Sequence, residues 1–353
     1  MKIKNNLDWG LIIKKIFTIK NEKYYKIVTI FNHKFKINSK KTLIKYFTRC
    51  IEEQEKKIYQ LKYIIDSCCD IKNCTNKNTE LKNIQIVKLN GLKLAIKIFN
   101  KHNIQYWLDG GSCLGAYRHK GFIPWDDDID IVIPRNDYQK AINILNEELK
   151  ESNIRAIIGQ KILNKCHTQH ARIIDINTDF AYLDIFPYDY SNNEKLTKEE
   201  LLKKLYELKQ KIYTNSFLSK LYSGKHKIED FIPQIINEYE KYEITTTNGK
   251  NCYIFRGIDS MSHQKKQTIH RIEDVFPLKQ VLFEDILVNV PNNMENFLSN
   301  IMEGAYGNIM EFPPLEAMNF HSYKNEEEKK SYMKLLNYQN ELICNLLKED
   351  NIC

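Results

Sequence analysis

The chain has 353 residues, a length typical of two compact units or of one elaborated domain. Hydrophobic residues make up 42% and aromatic residues 11%, with only 12 glycines and 8 prolines, which excludes a collagen-like, low-complexity or fully disordered protein. No apolar run approaches the roughly 18 residues that span a bilayer, and the N-terminus lacks the pattern of a secretory signal. We therefore expect a folded, cytoplasmic protein.

The net charge of +8 is concentrated at the N-terminus. Residues 1–45 contain twelve lysines and no arginine against Asp8 and Glu22, whereas the remaining chain is slightly acidic. Such a segment fits the anionic inner face of the cytoplasmic membrane, where the protein would bind peripherally. A coding bias toward lysine, asparagine and isoleucine explains it equally well. We expect no nucleic acid partner, because the segment has no arginine and no aromatic-interleaved RNA-binding pattern.

The nine cysteines are an odd number at irregular spacing, which favours reduced thiols over a disulfide framework. Cys68, Cys69 and Cys74 form the one cluster, but it lacks the paired spacing and the histidines of a zinc site. We expect these cysteines to be packing residues.

The N-terminal part is predicted to be a hairpin followed by an amphipathic helix. Residues 26–31 and 34–37 have the composition of two short strands around a polar turn. Apolar residues then recur at spacings of three, four and seven over about 42–66, which indicates one face of a helix. That face suits self-association, although packing within its own domain explains it better. The polar residues 70–82 predict a linker that ends the first domain.

The rest of the chain is predicted to alternate helices and strands. In chain order the patterns predict a helix at 84–100, a strand at 104–108, a short helix, a strand from 122 to 133, a helix at 138–149, and strands at 172–175 and 181–186. Strands within 281–290 and helices at 294–302 and about 326–348 follow. The sequence therefore predicts three parts after the hairpin and linker of 1–82: a domain over 83–322, its charged helical insertion at about 194–250, and a C-terminal helix within 323–353.

The acidic run that begins at Asp126 carries the strongest chemical signal. On a strand, side chains alternate between faces, so Asp126, Asp128 and Asp130 would share one face while the intervening isoleucine faces the core. Carboxylates this close repel one another unless a cation neutralises them, and their oxygens are ligands for a hard metal. The sequence therefore predicts a Mg²⁺ site, with Mn²⁺ as the alternative ion. A solvated acidic strand end is the competing interpretation.

Gly110, Gly111 and Ser112 follow the predicted strand at 104–108. The two glycines lack Cβ atoms, so backbone N–H groups can approach a phosphate closely. Alone, this sequence is more often an ordinary loop; beside a metal site it predicts a phosphorylated substrate.

A second group of donor-binding candidates lies between the two strands. Arg118, His119 and Lys120 could neutralise a diphosphate, and a basic surface loop is the alternative interpretation.

Phosphoryl chemistry at a metal uses a further carboxylate from a neighbouring strand, which can also accept the proton of the attacking hydroxyl. Asp184 is the candidate, because it lies in an apolar run where an unpaired carboxylate would be costly to bury. Asp175 and Asp189 are rivals, although Asp175 is expected to cap the turn that follows it.

The stretch from Asp109 to Ile131 closely resembles the LicD family, the phosphorylcholine transferase-like proteins that include fukutin and fukutin-related protein. The likeness rests on Gly110-Gly111-Ser112, Leu114-Gly115-Ala116, Arg118-His119-Lys120-Gly121 and Ile123-Pro124-Trp125-Asp126-Asp127-Asp128-Ile129-Asp130. It continues in Leu183-Asp184-Ile185-Phe186-Pro187, Glu273 to Leu278, Val290 to Asn293, Ala305-Tyr306-Gly307 and Pro313-Pro314. It spans about 84–321 but covers 194–250 poorly.

The resemblance implies a nucleotidyltransferase-type α/β fold, with a mixed sheet flanked by helices. It also implies Mg²⁺-dependent transfer of a phosphorylated alcohol, such as phosphocholine, from a CDP-activated donor to a hydroxyl of a cell-surface glycan. Lipopolysaccharide and capsule are the glycans expected as acceptors, and CMP is the product released.

The family motif assigns the site residues of this chain. Asp126, Asp128 and Asp130 match its acidic motif and Asp184 its later carboxylate, which makes these four the metal ligands and the last three the catalytic residues. Ser112 lies further before the aspartates than is usual in nucleotidyltransferases, so it stays open which two form the metal pair; we favour Asp128 and Asp130. Whether Asp184 is a base or only a ligand also stays open.

Two other functions are consistent with the sequence. A metal-dependent nucleotide-sugar glycosyltransferase of surface-polysaccharide synthesis would release a nucleoside diphosphate instead of CMP. A non-enzymatic basic scaffold or nucleic-acid-binding protein would bind with a steep inverse dependence on salt and without Mg²⁺.

Overall fold

The computed structural model divides the chain into two compact units, Met1–Asp70 and Ile71–Cys353. Among the residues that the structure describes, no helix is long and apolar enough to cross a membrane. The residues that the structure describes are 17–22, 25–30, 33–37, 48–60, 63, 70–75, 77–158, 161–162, 165–166, 170–191, 196–214, 232–242, 244, 253–257, 268–302 and 326–348.

The first unit contains a three-stranded antiparallel sheet of β1 (Phe17–Glu22), β2 (Tyr25–Ile30) and β3 (His33–Ile37). Strands β2 and β3 form the predicted hairpin, closed at the pair Ile30 and His33. Strand β1 was not predicted, because only two of its six residues are apolar. A helix, α1, occupies residues 48–60 of the predicted 42–66. The rest of that prediction, apart from helical residue 63, and Cys68 and Cys69 lie outside the described residues.

The second unit is built on a seven-stranded mixed sheet, which confirms the predicted fold class. The long strand β10 is its centre: it pairs in parallel with β5 and antiparallel with β9 and β11. Strands β4, β6 and β12 extend the sheet beyond these neighbours. The seven strands are β4 (Trp107–Leu108), β5 (Asp130–Pro134), β6 (Ile154–Ile158), β9 (Ala171–Asp175), β10 (Phe180–Ser191), β11 (Tyr253–Arg256) and β12 (Ile269–Arg271).

Helices flank this sheet, and two hairpins complete the unit. The helices are α2 (Thr79–Lys101), α3 (Gly110–His119), α4 (Arg135–Glu148), α5 (Lys198–Thr214), α6 (Ile232–Lys241), α7 (Ile272–Val275), α8 (Met294–Met302) and α9 (Glu326–Lys348), with a 3-10 turn at Ile71–Asn73. The hairpins pair β7 (Lys161–Ile162) with β8 (Lys165–Cys166) and β13 (Lys279–Phe283) with β14 (Ile286–Val290).

Two predicted boundaries are wrong. Helix α2 begins at Thr79, inside the expected linker, because the Asn78 side chain caps it by accepting the N–H groups of Glu80 and Leu81. The acidic strand β5 begins only at Asp130 instead of near residue 122. Residues 126–129 are irregular, so the alternation of side chains does not extend back to Asp126.

Helix α9 is attached to the sheet through a buried amide. Gln339, which is fully buried, donates from Nε2 to Asp175 Oδ2 at 2.7 Å and to Thr178 Oγ1 at 2.9 Å, and it accepts a hydrogen bond from Tyr182. The same helix packs along α2. The C-terminal helix is therefore part of the second unit.

The insertion is attached through a second small core. Leu201, Leu205 and Tyr239 of its helices pack against Phe255 and Ile269 of the sheet edge. The insertion predicted at about 194–250 thus contributes helices α5 and α6; the residues between these helices lie outside the described part of the chain.

A buried ion pair joins the insertion to the central sheet. Tyr239 donates to Asp189 Oδ2 at 2.9 Å, and Arg135 binds both oxygens of the same carboxylate at 2.7 and 3.0 Å. Asp189, a rival candidate for catalysis, therefore has a structural role.

Helix α2 approaches strand β10 most closely at Gly91. A Cβ built on this glycine would lie 2.6 Å from Tyr182 Cβ, a distance that real side chains do not adopt. The missing side chain therefore sets how closely helix α2 can approach the sheet. It also affects the residues of this helix that lie near the acidic segment.

We expect Gly91→Ala to destabilise the protein by about 1–3 kcal/mol, because the overpacking exceeds the roughly 1 kcal/mol that alanine adds to helix propensity. Urea unfolding measures the change. Asn83→Ala, at a half-buried position of the same helix, is the control and should change stability by less than about 0.5 kcal/mol. If Gly91→Ala left stability unchanged or increased it, helix α2 would be able to shift away from the sheet without a loss of stability.

Candidate active site

Two carboxylates face each other across the parallel pair at the centre of the sheet. In the register of β5 and β10, Asp130 lies beside Asp184, and Arg172 of β9 lies on the other side of Asp184. Two negative charges and one positive charge thus form a row across three adjacent strands. The row exists because the sheet brings together residues more than fifty positions apart.

The acidic segment before β5 forms a compact group of oxygens. Asp126, Asp127 and Asp128 each present a carboxylate oxygen within 4.8 Å of the others, which suits a metal ion. Asp126 Oδ1 accepts the N–H of Asp127 at 3.0 Å. Gln85 of α2 donates to the carbonyl oxygen of Asp126 at 2.7 Å and so fixes the segment from outside.

Gly110 and Gly111 lie in the first turn of α3 instead of in a loop before it. Gly110 has φ +49°, and a Cβ there would lie 3.3 Å from Asp130 Oδ2. A Cβ on Gly111 would lie 2.8 Å from Asp126 Oδ2. Both glycines therefore let the carboxylates approach the helix N-terminus, whose free N–H groups and dipole favour negative charge.

Ser112 has a different role from the one predicted. Its Oγ accepts the N–H of Asp130 at 2.9 Å and contacts the carbonyl oxygen of Asp128 at 3.5 Å. The side chain is buried. Its hydroxyl therefore holds the acidic segment in place. Only the backbone N–H of Ser112 remains as a candidate hydrogen-bond donor to a phosphate.

The carboxylates of Asp128 and Asp130 accept no hydrogen bond from the residues that the structure describes. The pKa of Asp130 is raised well above its ordinary value, first by burial and then by the neighbouring charges of Asp184 and Asp128. Loss of water and Asp127 raise the pKa of Asp128 as well, although this side chain is exposed and its charge is better screened. Unpaired oxygens in a negative field fit a bound divalent cation.

The pKa of Asp184 is shifted in the opposite direction. Burial acts to raise its pKa, but His170 at 3.1 Å and Arg172 at 2.7 Å more than offset that effect and place the pKa well below the ordinary value. The carboxylate is therefore an anion throughout the physiological range and a weak base.

A second ion pair stabilises the start of α3. Asp109 is fully buried, accepts the hydroxyl of Tyr188 at 3.0 Å and pairs with Arg256. The Arg256 guanidinium lies over the ring of Phe186 at 4.1 Å. Asp109 also donates its backbone N–H to the carbonyl oxygen of Asp130 at 3.0 Å, so this pair helps to position the backbone that carries one of the facing carboxylates.

Arg118, His119 and Lys120 do not lie with the glycines. They lie at the C-terminal end of α3, and eight residues of helix separate His119 from Gly111, a distance of about 12 Å. Burial lowers the pKa of Arg118 to about 10 and that of His119 to about 4, so the imidazole is neutral at pH 7. Lys120 is exposed and ends the helix. These three residues therefore cannot share one phosphate with Gly110 and Gly111.

The other expectations can be checked residue by residue. Asp175 caps its turn as predicted, accepting the N–H of Asn177 at 3.0 Å and the hydroxyl of Thr178 at 2.8 Å. Sequence reasoning missed His170 and Arg172 as partners of Asp184, since their role depends on strand pairing that no local pattern reveals. Glu273 to Leu278 and Val290 to Asn293 lie in the described structure; the matches at 305–307 and 313–314 do not.

Comparison with known proteins supports the resemblance to the LicD family that the sequence motif suggested. Residues 103–227 match the family model described as LicD/FKTN/FKRP, nucleotidyltransferase domain. The match covers about a third of the chain, and this matched domain is similar to the LicD family. The domain contains the acidic segment, the facing carboxylates and the glycines of α3.

Several named proteins are similar to part of this chain. The lipopolysaccharide cholinephosphotransferase LicD of Haemophilus influenzae is 35% identical over 137 residues, which are 36% of this chain and 51% of that protein. Human ribitol 5-phosphate transferase FKRP is 26% identical over 113 residues, 31% of this chain and 22% of that protein. Human ribitol-5-phosphate transferase FKTN is 43% identical over 51 residues, 14% and 11% of the two chains. The chain thus spans at most about half the length of these relatives.

We expect Asp130→Asn to raise the melting temperature of the metal-free protein at pH 7. A carboxyl whose folded pKa is raised costs stability once the pH exceeds its unfolded pKa near 4, and the amide removes that cost. The gain should grow from pH 4 upward and vanish below it. Thermal unfolding in chelator measures it, and added Mg²⁺ should stabilise the wild type more than the variant.

The matched control is Asp189→Asn, which weakens the partner of the buried Arg135. Its free energy of unfolding should fall by up to about 3–5 kcal/mol, because the substitution leaves the buried charge of Arg135 poorly compensated. If Asp130→Asn were destabilising in the same way, Asp130 would be a structural residue.

We expect Gly111→Ala to weaken Mg²⁺ binding, because the new methyl group would occupy the position now taken by the Asp126 carboxylate. Gly115→Ala is no control, since its Cβ would meet backbone, so Ala116→Gly in the same helix serves instead. Calorimetric titration of each variant with Mg²⁺ gives the comparison. An unchanged affinity in Gly111→Ala would place Asp126 outside the metal site.

Proposed function

We propose that the protein is a Mg²⁺-dependent transferase that moves a phosphorylated alcohol from a CDP-activated donor to a hydroxyl of a cell-surface glycan, releasing CMP. The observation that carries this proposal is the pair Asp130 and Asp184 on adjacent parallel strands, next to Asp128, within a LicD-family domain. The names of the relatives support phospho-alcohol transfer, with choline phosphate in one and ribitol phosphate in another.

The residues present suit a divalent cation. Asp128 and Asp130 would hold it, together with Asp126 and Asp184, through oxygen atoms only, which favours Mg²⁺ and admits Mn²⁺. Asp126 and Asp128 belong to one group of oxygens, to which Asp127 also contributes, and Asp130 and Asp184 face each other across the strand pair. When bound, the ion would neutralise the diphosphate and the charge that develops on the departing nucleotide.

The protein groups around the aspartates divide the remaining tasks. The N–H groups of Gly110 and Gly111 in the first turn of α3 would donate hydrogen bonds to phosphate oxygens of the substrate. Ser112 and Gln85 would keep the acidic segment rigid from two sides. Preorganised groups of this kind need no rearrangement as charge moves during the reaction.

Asp184 would act as a ligand and not as the base. His170 and Arg172 already neutralise it, and its lowered pKa makes it a poor acceptor for a hydroxyl proton. Phosphoryl transfer through a loose transition state demands little proton abstraction before attack. The acceptor oxygen would bond to the β-phosphorus as the bond to CMP breaks, and its proton would pass to solvent.

The acceptor would be reached at a membrane surface. The lysine-rich residues 1–45 would bind anionic lipid on the cytoplasmic side, where lipid-linked glycans such as lipopolysaccharide or capsule precursors are accessible. The protein itself would remain peripheral.

The proposal is tested with purified protein, Mg²⁺ and a panel of CDP-alcohols and nucleotide sugars, with and without envelope oligosaccharides, while chromatography follows the nucleotide released. We expect CMP from one CDP-alcohol. Asp128→Asn and Asp130→Asn should reduce its release by about 10²–10³-fold, because each removes charge stabilisation at the reacting phosphate.

Asp285→Asn is the control for these variants, since this aspartate is exposed and pairs with Lys93 away from the acidic segment. Its turnover should match the wild type. Release of a nucleoside diphosphate from a nucleotide sugar would identify a glycosyltransferase instead. Full turnover in Asp130→Asn would refute the assigned site.

A further inference from the structure

Lys88 is a buried lysine for which neither the fold nor the proposed mechanism has a use. It lies on α2, is 8% exposed, and places its Nζ 5.4 Å from the ring centroid of Phe180. Its neighbours along the helix face the interior as well. A lysine on a helix ordinarily directs its ammonium group to water, so this position needs a reason.

The ammonium group of Lys88 has no carboxylate or carbonyl partner among the described residues. It is not sealed off, because Nζ is absent from the fully buried atoms that lack a hydrogen-bond partner. A largely desolvated cation with only an aromatic ring beside it is costly unless another group neutralises it. The group therefore has donors to offer to a molecule that enters from outside.

The location of Lys88 is fixed on both sides by contacts that bring α2 to the acidic segment. Three residues before it, Gln85 donates to the carbonyl oxygens of Asp126 at 2.7 Å and Ile123 at 3.4 Å. Three residues after it, Gly91 packs directly on Tyr182. Because residues three and four apart share a helix face, Lys88 lies on the side of α2 that faces the aspartates.

Lys88 lies near Asp128, since it is the strongest of the charges that act on that carboxyl group. The two groups form no direct ion pair. A gap between a cation and a carboxylate leaves room for a ligand that carries both a metal ion and negative oxygens.

We propose that the Lys88 ammonium binds a phosphate oxygen of the diphosphate donor, opposite the aspartates, so that the donor is held between α2 and the metal site. This inference rests on the proposed function. Lysine suits the role as a compact charge with three donors. The cation also supplies what Arg118, His119 and Lys120 cannot supply from the far end of α3.

The test compares wild-type full-length protein with Lys88→Met, Lys88→Gln and Lys82→Met. Lys82 is an exposed lysine of the same helix and serves as the matched control. Calorimetry measures the binding of CDP-choline and of inorganic pyrophosphate in the presence of Mg²⁺, and of Mg²⁺ alone. Thermal unfolding reports whether each variant is folded.

We expect both Lys88 variants to bind CDP-choline and pyrophosphate about tenfold or more weakly, the size of a lost charge-assisted hydrogen bond. Their affinity for Mg²⁺ alone should be equal or higher, because a nearby positive charge is removed. Lys82→Met should match the wild type in every measurement. The melting temperature should not fall by more than a few degrees, since only the contact with the ring of Phe180 is lost and no hydrogen bond or ion pair between described residues is broken.

Unchanged probe binding by folded Lys88 variants would overturn this inference and leave the proposed function intact. Weaker binding of Mg²⁺ alone, or a large fall in melting temperature, would also overturn it, by showing that Lys88 only supports the aspartates. If wild-type protein bound neither probe, the proposed diphosphate donor would fail and the role of Lys88 with it.

Discussion

The repulsion between Asp130 and Asp184 is the constraint on which the second unit depends. Parallel pairing of β5 and β10 places these carboxylates side by side in a region of reduced solvent. The sheet compensates on one side only, where His170 and Arg172 neutralise Asp184. Among the described residues, the Asp130 carboxylate has a raised pKa and no hydrogen-bond donor, which is a cost in the free protein that a bound cation would relieve.

The surrounding elements serve to hold that unfavourable arrangement. Helix α3 presents its N-terminus to the carboxylates, because Gly110 and Gly111 remove the side chains that would block the approach. The ion pair of Asp109 and Arg256 holds the residue that precedes this turn. Helix α2 controls the acidic segment through Gln85, and its distance from the sheet is set at Gly91. Each of these contacts fixes the position of a residue at the site and leaves few other side chains possible there. Functional sites commonly differ from the rest of a fold in this way.

Much of this organisation could be predicted from the sequence, for physical reasons. Helices α8 and α9 have strong 3.6-residue periodicity, and both were predicted with the correct bounds. The motif around Asp128 predicted a cluster of carboxylates, and the oxygens of Asp126, Asp127 and Asp128 do lie together, because the clustering follows from their adjacency in the sequence. Strand β11 and the partners of Asp184 could not be found, since their identity depends on non-local pairing. The three basic residues near Lys120 were misplaced because the extent of α3, which separates them from the glycines, was not known.

The attachment of helix α9 has a consequence for how the protein is made. Its contacts to α2 and to the turn after β9 join residues separated by about 160 to 250 positions, as in Asn90 with Asn340 and Gln339 with Asp175. On the ribosome, the outer face of α2 stays uncovered until nearly the whole chain has emerged. Helix α2, which contacts the acidic segment through Gln85, would therefore gain its full packing late in synthesis. A nascent chain would carry the complete acidic motif well before that packing is in place.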